Sequence, residues 1–151
     1  MAIRYPHVTK ANRYAREVVS GRISACVYVI QSCQRHLDDI AKSKKPSYPY
    51  KFDKAKAEKV IKFAQMMPHT KGKWAGTLIV LEPWQCFIFA VVFGWVWKSN
   101  PGNRRFKEFY GEIPRKNAKS VKGAIFGNYM FSADGEPAAE VYAAANTQAQ
   151  A

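Results

Sequence analysis

Between residues 12 and 20, Tyr14, Val18 and Val19 fall on one face at helical spacing, and Gly21 stands where a helix C′ glycine would end the element. A second helical period starts near Ser24, a candidate N-cap, and carries Val27, Ile30, Cys33/Gln34 and Leu37 to about residue 41. The tract Lys42-Ser-Lys-Lys-Pro-Ser-Tyr-Pro-Tyr50 has no period and two prolines, which predicts a polar connection. A third helix is predicted over 53–67. Ala57, Val60, Ile61, Ala64 and Met67 form its apolar stripe, Lys54, Lys56, Lys59 and Lys62 fall largely off it, and Pro68 stops it.

The period then changes. Thr77-Leu-Ile-Val-Leu81 is a short β-type run, and Glu82-Pro83 opens a helix that should continue from Trp84 to about Trp97. Ser99-Asn-Pro-Gly-Asn103 predicts a turn, residues 105–113 a strand, residues 121–131 a helix, residues 133–137 a turn, and residues 140–145 a second strand. Strand, helix, strand over this distance predicts a βαβ unit with a parallel sheet, hence an α/β fold. The expected organisation is a basic, mainly helical segment over 1–76 followed by an α/β segment over 77–151.

Composition sharpens this division. The chain has 151 residues, 48% of them apolar and 14% aromatic, enough to build a core and to exclude a disordered tail. Its net charge is +13, and residues 1–74 hold 16 of the 24 Lys/Arg against 5 of the 11 Asp/Glu. The basic excess therefore sits in the helical first half and points to a polyanionic partner. The most apolar stretch, Cys86 to Trp97, is too short for a bilayer, which needs about 20 residues, and a buried core helix is the expectation. Three cysteines make no disulfide framework and fit a reducing interior, and the opening Met1-Ala-Ile-Arg-Tyr-Pro6 has no apolar leader.

Candidate chemistry concentrates in Ile113-Pro-Arg-Lys-Asn-Ala-Lys-Ser120, at a predicted strand-to-helix junction. A phosphate loop needs a turn with inward N–H groups, a lysine for the β/γ-phosphates and a hydroxyl for Mg²⁺, all at a helix N-terminus. Lys119 and Ser120 stand in the right places, while Ile113 and Ala118 occupy the two glycine positions of the strict pattern. A basic turn on a solvated edge is the plainer alternative. Cys33 and His36 lack the further ligands a zinc site requires, so His36 is expected to pack on a helix face.

The loop resembles the Walker A segment of the large terminase subunit of tailed bacteriophages, in the branch that reads Pro-Arg-Lys-Asn-Gly-Lys-Ser. Tyr14-Ala-Arg-Glu-Val-Val-Ser-Gly21, Cys33-Gln-Arg-His-Leu-Asp-Asp39, Pro68-His-Thr-Lys-Gly-Lys-Trp-Ala-Gly76, Leu81-Glu-Pro-Trp-Gln85 and Ala133-Asp-Gly-Glu-Pro137 resemble further family landmarks, in order. The resemblance implies a P-loop ATPase of the motor that packages viral double-stranded DNA, working in the host cytoplasm with a small terminase subunit and a portal protein, without a membrane. ATP and Mg²⁺ are the implied cofactors. Lys119 would neutralise the β/γ-phosphates and Ser120 would ligate Mg²⁺. Arg115 or Lys116 would add charge near the γ-phosphate, within a loop that also includes Asn117 and Ala118. Gln85 would read the adenine edge beside Trp84.

Two departures qualify the implied activity. Ala118 replaces the glycine before the lysine, where a Cβ would crowd the phosphate or impose a backbone angle that glycine takes cheaply. No apolar run ending in Asp-Glu follows Ser120, and no nuclease carboxylates are present, so the expectation is a truncated subunit that does not hydrolyse ATP alone. The alternative is a non-catalytic DNA- or partner-binding prophage remnant that works through its basic helices.

Overall fold

The computed structural model describes residues 4–70, 72–115, 117–136 and 138–144. Lys116, Pro137 and Ala145, which carry sequence-based expectations, lie outside the described residues. The elements are α1 (Pro6–Val19), α2 (Val27–Lys42), β1 (Tyr50–Phe52), α3 (Lys54–Gln65), a 3₁₀ turn (Gly72–Trp74), α4 (Pro83–Gly94), β2 (Trp95–Trp97) and α5 (Lys119–Ser132). They fall into two compact units, Met1–Tyr110 and Gly111–Ala151.

In the first unit, α4 is the core helix that its composition demands, burying Cys86, Phe87, Phe89, Ala90 and Phe93 between α1 and α3. Helix α1 begins six residues earlier than its apolar period indicates. Pro6 opens it, and the cap comes from Glu58 of α3: the Val8 N–H donates to Oε2 at 3.1 Å and His7 Nδ1 donates to Oε1 at 2.7 Å. A buried carboxylate against a helix N-terminus satisfies orphan donors and opposes the dipole, and no local sequence signal can announce a cap fifty residues away. At the other end Gly21 adopts φ 78 and donates to Val18 O, as the period predicts.

Helix α2 starts at Val27, with Cys26 rather than Ser24 at its N-cap. Its inward face is also rotated from the predicted one: Cys33, His36 and Asp39 are buried, whereas Val27 and Ile30 are exposed. The reason is that the core completes the polar groups. Trp95 Nε1–H donates to His36 Nδ1 at 3.0 Å, so Nε2 carries the proton and donates to Asn12 Oδ1 at 2.8 Å. The rings of Phe52, Phe87 and Trp95 meet this imidazole edge-on, at 5.1, 5.5 and 5.9 Å. Burial lowers its pKa to about 4, so it is a neutral packing residue, as expected from the sequence. No group of three His, Cys, Asp or Glu able to hold a metal occurs among the described residues.

Asp39 and Arg105 form a second buried lock. Arg105 Nη1 donates to Asp39 Oδ2 at 2.6 Å and to Tyr48 Oη at 3.0 Å, and Tyr48 donates to Asp39 Oδ1 at 2.7 Å. The guanidinium also stacks 4.5 Å from the Tyr50 ring. Burial alone would raise the Asp39 pKa, but the Tyr48 hydroxyl and the Arg105 guanidinium outweigh it and hold the carboxyl below its ordinary range.

Helix α3 follows its predicted stripe, burying Ala57, Val60, Ile61 and Ala64, and Asp53 caps it through the Ala55 and Lys56 N–H groups. Lys54, Lys59 and Lys62 are exposed. Helix α4 stops at Gly94, so the predicted helix to Trp97 is corrected: residues 95–97 pair antiparallel with β1, Phe52 opposite Trp95 and Tyr50 opposite Trp97. A Cβ on Gly94 would lie 2.5 Å from Phe52 Cε2 and 3.0 Å from Ala57 Cβ, and only glycine lets β1 pass the helix end.

The predicted strand at 77–81 is extended but forms one bridge, Pro68 with Leu78. Ile79 and Leu81 point inward while Leu78 and Val80 are exposed. Backbone bonds from Ile79 N–H to Met67 O at 2.9 Å and from His69 N–H to Thr77 O at 2.8 Å flank that bridge. Lys10 Nζ on Leu81 O at 2.6 Å and Leu81 N–H on Gln65 Oε1 at 3.1 Å hold the end of the segment. Residues 105–113 make no strand either. The Arg104–Arg105 backbone touches β2, and residues 107–112 are exposed and lie outside any strand.

The second unit centres on α5, which buries Lys122, Ile125 and Tyr129. Its flanking segments form no strand among the described residues, so the parallel βαβ sheet expected from the sequence is not seen. The described sheet is the antiparallel pair β1–β2. Those strands were expected from local residue type alone, and a strand without a neighbour has nothing to bond to. The fold is α/β by content. No described helix is long and apolar enough to cross a membrane.

Candidate anion-binding loop at the start of α5

The turn from Pro114 to Ala118 is built around Asn117. Its side-chain amide donates to Arg115 O at 3.2 Å and, at the long limit of 3.4 Å, to Pro114 O, which folds the loop over its own carbonyls. Ala118 then takes φ 57 and ψ 34, left-handed backbone, and serves as the N-cap of α5 without a side-chain cap. Of the two consequences foreseen for alanine here, the backbone angle is the one observed. It costs about 1–2 kcal/mol in a residue that carries a Cβ.

Helix α5 thus opens with no side-chain acceptor at its N-cap and no acidic residue in its first turn. Those N–H groups and the helix dipole present positive potential where the loop meets the helix. Lys119 and Ser120, the first two helical residues, are exposed, and so is Arg115. Lys122 differs. It is buried, its Nζ donates to Asn117 O at 2.8 Å, and burial lowers its pKa.

Arg115, Asn117, Ala118, Lys119 and Ser120 therefore share one loop. Trp84 and Gln85 belong to the first unit, in the first turn of α4. Gln85 is buried and its Oε1 accepts from the Glu82 N–H at 2.9 Å, closing a capping box, while Trp84 is half-buried. The sequence reading missed the roles of Asn117 and Lys122 in shaping the loop. The available signal was position: a lysine in the fourth helical place leans back toward the N-terminus and can reach the preceding turn.

An exposed lysine and hydroxyl thus open a helix behind a tight turn whose carbonyls are tied inward, and the free N–H groups of such a helix start favour negative charge. Residues 83–151 match the family model for the terminase large subunit, ATPase domain. No curated protein and no solved structure matches the chain.

Proposed function

We propose that the loop binds the phosphates of ATP in a terminase motor that packages double-stranded viral DNA. The observation that carries this reading is the exposed Lys119–Ser120 pair on the uncapped N-terminus of α5, inside the matched ATPase segment. Lys119 would neutralise the β/γ-phosphates, and the Ser120 hydroxyl is a hard oxygen donor of the kind Mg²⁺ takes. Bound Mg²⁺ would supply charge neutralisation between the phosphates. Arg115 lends further positive charge, and Lys116 is assigned to the same loop from the sequence. Gln85 and Trp84 are proposed for the adenine.

In this reading the basic residues of 1–76, with Lys54, Lys59 and Lys62 exposed along α3, face the DNA phosphates in the host cytoplasm. A small terminase subunit and a portal are the proposed partners. The test is titration of the 151-residue chain with Mg·ATP beside a Lys119→Ala variant. The expected result is saturable binding weakened about tenfold or more by the substitution, since a charged hydrogen bond is worth about 1.5–3 kcal/mol. Equal binding by the two proteins would sink the assignment. Salt-steep DNA binding with no response to nucleotide would favour a non-catalytic DNA-binding protein instead.

A further inference from the structure

We propose that Lys122 is a positioning residue of this loop, holding the Asn117 carbonyl inward so that the Ala118 N–H faces the bound phosphate. The inference rests on the phosphate-binding reading above and adds to it the group that orients the loop. Lys122 binds two successive carbonyls. Its backbone N–H donates to Ala118 O at 3.0 Å, and its Nζ reaches one residue further back to Asn117 O at 2.8 Å. The Asn117–Ala118 peptide is trans, so its N–H points opposite to its C=O. Fixing the oxygen against a buried ammonium therefore turns the Ala118 N–H to the other side of the loop.

Electrostatics makes that orientation matter. A carbonyl oxygen turned outward would place partial negative charge beside the phosphate, whereas an N–H places a donor there. Asn117 performs the same service for Pro114 O and Arg115 O through its side-chain amide. All four carbonyls named are thus engaged from within the loop or the helix. The left-handed Ala118 is the pivot of this geometry, because a residue with ordinary helical φ would present the preceding peptide in another direction. The buried lysine contributes orientation, and the exposed Lys119 remains for the ligand.

The experiment compares the full chain with Lys122→Met, Lys122→Arg and Lys119→Ala. It measures ADP affinity by titration and the Ala118 amide ¹⁵N signal in the nucleotide-free proteins. Methionine keeps the apolar stem and removes the donor, and arginine restores a donor. Lys122→Met is expected to displace the Ala118 signal without ligand and to weaken ADP about tenfold or more, the worth of a charge-assisted bond. Lys122→Arg is expected to recover most of both. Lys119→Ala is expected to weaken ADP while leaving the Ala118 signal in place. ADP affinity unchanged in Lys122→Met overturns the proposal. If the parent chain does not bind ADP, the phosphate reading fails on its own. The Ala118 signal then decides the hold of Lys122 on the loop, and an unmoved signal in Lys122→Met overturns that too. If Lys122→Met does not fold, Lys122→Arg decides: a displaced Ala118 signal with parent-level ADP affinity overturns the proposal.

Discussion

Arg105 and Lys122 are both cations withdrawn from water, one in each unit, and they are handled differently. Arg105 meets a carboxylate, a phenol and an aromatic ring, all contributed by other side chains. Lys122 donates to a backbone carbonyl of the loop just before its own helix. The same contrast holds more widely. In the first unit buried ionisable groups close on distant side chains, as Glu58 does on His7 and the start of α1. In the second, the buried charge shapes local backbone while Arg115 and Lys119 stay in solvent. Substitutions at buried polar groups should therefore register as stability in the first unit and as binding in the second.

The strongest way to break that comparison is Glu58→Ala. It leaves His7 and the Val8 N–H without their acceptor and uncaps α1, and should cost about 2–5 kcal/mol, a lost cap added to buried polar groups left unsatisfied. Urea unfolding monitored by tryptophan fluorescence measures it, and a loss below 1 kcal/mol would mean that α1 does not depend on α3 for its start.

Acid should come next. His36 is neutral in the folded chain with a pKa of about 4, against 6.5 for a histidine in water. Between those values the unfolded chain binds the proton and the folded chain does not, so stability is full above pH 6.5 and falls as pH drops toward 4. The loss at the bottom of that window is about 3 kcal/mol. His36→Gln should flatten the slope of stability against pH there. Asp39 contributes its own loss at lower pH, and its share is common to both proteins. An equal slope in the variant would remove His36 as the source.

The smallest expected effect sharpens the comparison from the other side. Ala118→Gly relieves about 1–2 kcal/mol of left-handed strain but adds unfolded-state freedom worth about 0.4–1 kcal/mol, for a net gain between about 0 and 1.6 kcal/mol. Ala118→Val should destabilise α5 instead, because β-branching disfavours that backbone further. Helicity of the two variants during thermal unfolding gives the sign, and a stabilising valine would contradict the observed φ.

What was legible in the sequence was periodic and local. The α3 stripe, its stop near Pro68, the Gly21 terminus, the burial of α4 and the helix after Lys119-Ser120 all rest on residues within a few positions of one another. What was not legible depended on partners elsewhere in the chain. The start of α1 needs Glu58, the inward turn of His36 needs Trp95 and Asn12, and the change from helix to strand at Gly94 needs Phe52 of β1. The predicted strands at 105–113 and 140–145 form no ladder among the described residues for the same reason in reverse: their residue types are local, but pairing requires a neighbour. In the loop, Lys119 and Ser120 could be picked out by residue type, whereas Asn117 and Lys122 act through backbone carbonyls, which no residue pattern displays.

The rotated face of α2 has a consequence for thiol chemistry. Cys33 lies on that buried face and Cys86 lies in the core of α4, and burial pushes both thiols up to about 11. Cys26, at the N-cap of the same helix, is exposed. A maleimide reagent should therefore modify the native chain once, at Cys26, and reach the other two only as the core opens. The protein carries its own single-site label, and the ratio of fast to slow sulfhydryls gives a chemical clock for the integrity of its first unit.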